Sequence, residues 1–187
     1  MGSSIIYKLL QSRYTVFNLT KAALVTGDDN PEQLGQRLRY YSRAGLLRQV
    51  RRNLFVKENY MPEELACMVF TPCYISLEYV LQREGVVFQY DNAITLVSYL
   101  RREICVDGIN LSFRKIKDIL LTNPDGIIFN DSYSIASPER AFLDTCYLYP
   151  DYYFDRTDTL DKDKVSSLLK IYESKALENR VMELLNI

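Results

Sequence analysis

Residues 30–56, NPEQLGQRLRYYSRAGLLRQVRRNLFV, constrain this chain more than any other stretch. Asn30 is a helix cap, because its side-chain oxygen can accept from the free N–H groups of a first turn. Pro31 follows at the first helical position, where a missing N–H removes nothing. Leu34, Leu38 and Tyr41 recur at i, i+4 and i+7 and form one apolar stripe. Gly45 stands where a left-handed residue ends a helix. Residues 46–50 then read as a strand and residues 54–56 as its return. Arg51, Arg52 and Asn53 read as the turn between them, since Asn tolerates the left-handed backbone.

The charge on this stretch gives it a meaning. Arg37, Arg39, Arg43, Arg48, Arg51, Arg52 and Lys57 are basic, and no acidic residue lies between 37 and 57. At about 100° per residue, the side of the helix opposite Leu34 and Leu38 carries Gln36, Arg43, Glu32 and Arg39, with Gln33 and Tyr40 beside them. Arg and Gln donate to base edges in the major groove, and Arg neutralises phosphates. Gln33, Gln36, Arg39, Tyr40 and Arg43 are therefore the expected groove contacts. Arg48, Arg51 and Arg52 are the expected contacts of the hairpin to phosphate or minor groove. Arg37 lies nearer the apolar stripe and is expected to pair or to extend along the surface. The plainer alternative is a solvated basic helix packed on a small core.

Net charge over the 187 residues is −1, so the total is silent about nucleic acid. Its distribution is not. Residues 1–60 hold ten Lys or Arg against four Asp or Glu, and residues 61–187 hold thirteen against twenty. This pattern predicts a basic module, 1–60, joined to an acidic one, 61–187. The chain has no histidine, which removes Ser-His, Cys-His and HExxH chemistries. Cys67, Cys73, Cys105 and Cys146 match no metal spacing and read as reduced and mostly buried, as in a cytosolic protein. The run Asp151, Asp155, Asp158, Asp161, Asp163 lacks the glycine and the spacing of a calcium loop. No metal, cofactor or catalytic residue is expected. The start shows no long apolar leader segment, and no stretch approaches the ~18 apolar residues of a membrane span.

Read in order, residues 4–11 form a first helix with Ile5 and Leu9, and also Ile6 and Leu10, facing inward. Residues 14–17 make a short extended run. Asn18 caps a second helix through Thr26, which Gly27, Asp28 and Asp29 close in a turn. Helices followed by a hairpin inside ~60 residues is the winged helix-turn-helix order. Residues 58–62 read as a hinge, and residues 63–69 as a short helix. Ser76 is expected to cap a helix at 77–84. Strands follow at 86–89, 94–99, 103–106 and 109–113, with Asp107-Gly108 as a hairpin turn. A short helix is expected at 114–121, then strands at 127–129 and 133–135. Ser137 and Pro138 open the next helix, in which Arg140 and Asp144 can pair across one turn. An exposed pair of that kind contributes only ~0.3–0.5 kcal/mol. Tyr147, Tyr149, Tyr152, Tyr153 and Phe154 make an aromatic loop, and residues 161–185 read as one long final helix. The expected fold class is α+β: a winged helix-turn-helix, then a mixed α/β domain with antiparallel hairpins and a long last helix.

Three segments resemble one family in the family's own order. YSRAGLLRQVRRNLFV (41–56) resembles the helix and wing of the AbiEi antitoxins, and CYISLEYVLQREGVV (73–87) the start of their second domain. SIASPERAFLDTCYL (134–148) resembles their Ser-Pro-Glu-Arg-Ala, Leu-Asp helix. The resemblance implies the antitoxin of a bacterial type IV toxin–antitoxin system that also represses its own promoter. Its implied partners are double-stranded DNA, read as inverted repeats, and a nucleotidyltransferase-like toxin that is countered without a necessary stable complex. A cytoplasmic monomer or weak dimer is implied, with Ser137, Pro138, Glu139, Arg140 and Asp144 as a motif of the antitoxin domain. Asn53 stands where many relatives place Gly in the wing turn, and the chain is short for the family. A second class of function fits the same residues: a winged-helix regulator whose acidic half senses a small molecule. A nucleic-acid enzyme fits less well, for want of a histidine and of paired carboxylates.

Overall fold

A computed structural model of the chain describes residues 4–28, 30–89 and 92–185. Residues 1–3 of the chain start, and Asp29 of the expected 27–29 turn, lie outside the described residues. The fold is mixed α+β with two sheets among the described residues, and it divides into two compact units, Met1–Met68 and Val69–Ile187.

In the first unit, helix α1 (Ile5–Gln11) precedes strand β1 (Val16–Phe17), helix α2 (Leu19–Thr26) and helix α3 (Pro31–Arg43). Strands β2 (Arg48–Arg51) and β3 (Leu54–Val56) follow, and then helix α4 (Pro62–Val69). Local chemistry sets the boundaries. Asn18 accepts from the Lys21 N–H to start α2, and left-handed Gly27 ends it. The strands form an antiparallel sheet in the order β1-β3-β2, so β3 is central and fully buried while β2 is an exposed edge. Leu9, Phe17, Ala22, Leu34, Leu38, Leu47 and Phe55 close the core between sheet and helices. Leu10, expected inward, is 42% exposed. A seven-residue helix buries one narrow stripe, and Leu9 takes it.

The unit boundary falls within α4, not in residues 58–62. Glu64, fully buried, accepts from both the N–H and the hydroxyl of Thr15, at 2.8 and 2.6 Å. The Thr15 hydroxyl accepts in turn from the Met61 N–H at 2.9 Å. The first turn of α4 thereby belongs to the first unit.

The second unit begins with strand β4 (Cys73–Ile75) and helix α5 (Glu78–Arg83), then strands β5 (Ile94–Ser98), β6 (Arg102–Val106) and β7 (Ile109–Lys115). Helix α6 (Asp118–Leu121) and strands β8 (Ile127–Phe129) and β9 (Ser134–Ala136) lead into helix α7 (Pro138–Leu148). Helix α8 (Lys162–Leu169), a 3-10 turn at Lys170–Tyr172 and helix α9 (Lys175–Leu185) complete it. The sheet order is β6-β7-β5-β4-β9-β8. The hairpins β6–β7 and β8–β9 are antiparallel, and parallel pairings of β5 with β7 and of β4 with β9 join them to the centre. Asp107 and Gly108 take φ of 54° and 81° in the β6–β7 turn, the conformation that a two-residue hairpin requires.

Four expectations for this unit are corrected. The final helix is interrupted: Glu173 adopts φ 47°, and the break lets Tyr172 turn into the interior (3% exposed). Residues 86–89 form no strand; the Val86 carbonyl instead accepts from the N–H groups of Asp155 and Arg156. Ser76 caps nothing, because its hydroxyl is drawn to Asp144. Thr95 of β5 serves the start of α5 by accepting from the Tyr79 N–H at 3.0 Å. Finally, the expected helix at 114–121 is mostly strand and loop, with β7 running on to Lys115 and α6 only four residues long.

Gly126 precedes β8 with φ +74°, and a Cβ there would stand 2.8 Å from Arg140 Cβ and 3.0 Å from Leu168. Backbone strain and a clash with a rigid atom therefore add. Gly126→Ala is expected to lower stability by about 2 kcal/mol or more, measured by urea denaturation.

Candidate nucleic-acid interface

Helix α3 is built so that one face is spent on the core and the other is left for solvent. Asn30 accepts from the Gln33 N–H at 3.0 Å, and Pro31 begins the helix. Leu34 and Leu38 are fully buried. Gly35 is buried too, facing Leu19 of α2. A Cβ at Gly35 would meet Leu19 and Arg39 at 3.5 Å, ordinary contact. Gly35→Ala should therefore gain the helix preference of alanine, about 0.5–1 kcal/mol, seen as a higher unfolding temperature.

The helix ends in a Schellman turn. Gly45, at φ 74°, donates to the Ser42 carbonyl, and Leu46 donates to the Tyr41 carbonyl at 2.9 Å. This tight reversal brings β2 directly off the end of α3. Asn53 takes φ 58° in the β2–β3 turn, so an asparagine suffices where a glycine is common. A bulge between Gln49 and Arg51 bends the hairpin near its tip.

All eight residues expected to meet DNA are exposed: Gln33, Gln36, Arg39, Tyr40 and Arg43 along α3, Arg48 and Arg51 on β2, and Arg52 in the turn. Tyr40 is 64% exposed and stands edge-on to Tyr41, with ring centroids 5.9 Å apart. Among the described residues, no carboxylate pairs with Arg39, Arg43 or Arg52. Arg48 lies over the ring of Tyr60 at 5.7 Å. Tyr60 and Gln49, the latter exposed on β2, stand beside these residues, and nothing in the sequence distinguishes them from ordinary surface residues.

Other basic residues of the unit have structural partners. Arg37 bonds Asp28 at 2.6 Å, the pairing that its place near the stripe favours. Lys57 donates to the carbonyls of Leu10 and Ser12, at 3.0 and 2.6 Å, and closes the end of α1. Burial pulls its amine below the usual lysine range, with Glu64 acting in the opposite sense. The exposed basic face thus belongs to α3 and the hairpin.

In the second unit, Ser137 caps α7 by accepting from the Arg140 N–H at 3.2 Å, with Pro138 at the first position. Glu139 is 7% exposed. Arg140 and Asp144 are not the surface pair expected from their spacing: both side chains are fully buried, with Nε 3.2 Å from Oδ1. Arg140 also donates through Nη1 to the Asp125 carbonyl at 2.7 Å. Its Nη2 donates to the Leu120 carbonyl at 2.7 Å and to the Tyr74 hydroxyl at 2.9 Å. Asp144 accepts from Tyr172 at 2.6 Å on Oδ1, and from Tyr74 and Ser76 at 3.0 and 2.9 Å on Oδ2. Burial lifts the Asp144 carboxyl above the ordinary carboxylate range, while Arg140 and the three hydroxyls pull it down. One satisfied polar cluster therefore ties α7 to β4, to the turn before β8 and to the break before α9. Its geometry is that of a structural hub.

Tyr147 and Tyr172 pack at 5.5 Å beside this hub. The aromatic loop divides: Phe154 is buried against Phe142 at 4.8 Å, and Tyr153 is 74% exposed. Cys67 and Cys146 are buried, Cys73 is half-buried and Cys105 is exposed. Burial pushes the Cys146 thiol up to about 12, which keeps it protonated and unreactive. Among the described residues no His, Cys, Asp or Glu group could hold a metal ion, and no helix is long and apolar enough to cross a membrane. No protein-family model matches the chain, and no curated protein matches it.

Proposed function

We propose that the first unit is a winged helix-turn-helix that reads double-stranded DNA, with α3 in the major groove and the β2–β3 hairpin as wing. The observation that carries this reading is the exposed run of Gln33, Gln36, Arg39, Tyr40 and Arg43 on α3, continued by Arg48, Arg51 and Arg52. The element order α1-β1-α2-α3-β2-β3 and the β1-β3-β2 sheet agree with it. On the resemblance to the AbiEi antitoxins, the chain is the cytoplasmic antitoxin of a bacterial type IV toxin–antitoxin system. It represses its own promoter at inverted repeats as a monomer or weak dimer. Its second unit counters a nucleotidyltransferase-like toxin, and the buried Arg140–Asp144 hub serves that unit as scaffold.

The two activities separate in cells. Expressed with the neighbouring toxin gene, the chain should restore growth, and it should silence a reporter driven by its own upstream region. The Arg39→Ala/Arg43→Ala variant should restore growth equally well and silence nothing. Loss of growth rescue in that variant, at normal protein level, would sink the division of labour. A second reading, a ligand-responsive winged-helix regulator, draws on a polar hollow over β6 and β7 in the second unit. In that case the reporter would respond to a metabolite and the toxin would be unaffected.

A further inference from the structure

Strand β7 reads INLSFRK, and Asn110, Ser112 and Arg114 alternate along it, so their side chains share one face of the sheet. The antiparallel register sets Glu103 of β6 opposite Ser112, and Cys105 opposite Asn110, on that same face. These five residues line a hollow of about 440 Å³.

Two polar atoms there are buried with no hydrogen-bond partner among the described residues: Ser112 Oγ and Arg114 Nη1. Ser112 is only 7% exposed. Native folds satisfy nearly all such atoms, so an unpaired hydroxyl beside an unpaired guanidinium nitrogen calls for an explanation. The rest of the guanidinium is already oriented. Its Nε donates to the Tyr149 hydroxyl at 2.7 Å, and its Nη2 donates to Glu103 Oε1 at 2.8 Å. Tyr149 accepts in this contact and keeps its own proton to donate. The Ser112 hydroxyl and the guanidinium are therefore the donors at this hollow, and Glu103, the carboxylate that lines it, is 70% exposed. A carboxylate so well hydrated is readily exchanged for another anion, since water screens most of the attraction.

We propose that this hollow binds a small ligand through an oxyanion, a carboxylate or a phosphate ester, which displaces Glu103 and pairs with the Arg114 guanidinium and the Ser112 hydroxyl. Arg presents two parallel N–H groups that match either oxyanion. Glu103 then acts as an internal competitor that occupies the guanidinium until the ligand arrives. The site lies wholly in the second unit and stands independently of DNA reading by the first.

The test is a titration of the full-length protein with inorganic phosphate and, separately, with acetate. It is followed by amide chemical shifts and compared with sodium chloride at equal ionic strength. Saturable shifts confined to β6, β7 and the Tyr149 region are expected with at least one probe. Phosphate alone would mark a phosphate-ester site, and acetate alone a carboxylate site. Arg114→Gln should weaken binding roughly tenfold or more, through loss of a charged hydrogen bond, and Ser112→Ala should weaken it less. Glu103→Gln should tighten it several-fold by removing the competitor. If Arg114→Gln does not fold, Ser112→Ala and Glu103→Gln decide the matter. Shifts no larger than with chloride in both wild type and Glu103→Gln would overturn the proposal. So would affinities that are the same in all folded variants.

Discussion

Replacing Asp144 by alanine is expected to remove about 3–5 kcal/mol of stability from the second unit, enough to unfold a marginal domain. The reason lies in what remains after the change. Arg140 would stay fully buried with no counter-charge, and the hydroxyls of Tyr74, Ser76 and Tyr172 would lose their common acceptor. An unpaired buried charge costs far more than the pair contributes. Tyr172→Phe, which removes one of four donors to Asp144, should lower stability by about 1–2 kcal/mol. Urea denaturation followed by circular dichroism would rank the variants Asp144→Ala well below Tyr172→Phe. Two equal and small losses, near the ~0.5 kcal/mol of an exposed helical pair, would mean that the cluster is open to water.

That contrast shows where the sequence is legible and where it is not. Caps and turns are local, and residues such as Asn18, Asn30, Gly27, Gly45 and Asp107-Gly108 announce themselves because one side chain or one backbone conformation decides each boundary. The basic face of α3 is equally open to reading, since helical periodicity alone divides Leu34 and Leu38 from Gln36, Arg39 and Arg43. The Arg140–Asp144 spacing is visible too, but burial is not. Whether an i,i+4 pair faces water or a core depends on Tyr74 and Tyr172, which are distant in sequence. The same long-range pull breaks the last helix: residues 161–185 have a continuous helical pattern, yet Tyr172 reaches Asp144 only if the chain turns at Glu173. Ser76 is likewise a sound cap by residue type, diverted by a carboxylate 68 positions away. The parallel pairings of β5 with β7 and of β4 with β9 leave no local trace at all. The hollow over β6 and β7 did have a signal, the polar alternation Asn110, Ser112, Arg114, which is easily passed over inside a strand pattern.

The largest functional effect is expected at the other end of the chain. On the proposed reading, Arg39→Ala/Arg43→Ala should abolish specific promoter binding with little change in stability, because both residues are exposed and each substitution would remove a proposed base or phosphate contact. A bidentate base contact carries ~1–3 kcal/mol of discrimination, so losing two reduces affinity by about a hundredfold or more. Arg51→Ala/Arg52→Ala, at the hairpin tip, should weaken binding to all sequences alike and flatten the salt dependence, as lost phosphate contacts do. The α3 variant should lose preference for the operator over unrelated DNA. These two signatures separate a reading helix from a wing that holds the backbone.

The most direct single measurement is a gel shift on the DNA upstream of the protein's own gene, run across a salt series. If roughly six phosphates are neutralised, affinity should fall about 10³-fold or more between about 50 and 200 mM salt. The wild type should bind tightly at low salt along that slope, and Arg39→Ala/Arg43→Ala should not discriminate the site from competitor DNA. A well-folded wild type that binds its own upstream DNA no better than random sequence would contradict the account, and α3 would then be a surface for a protein partner.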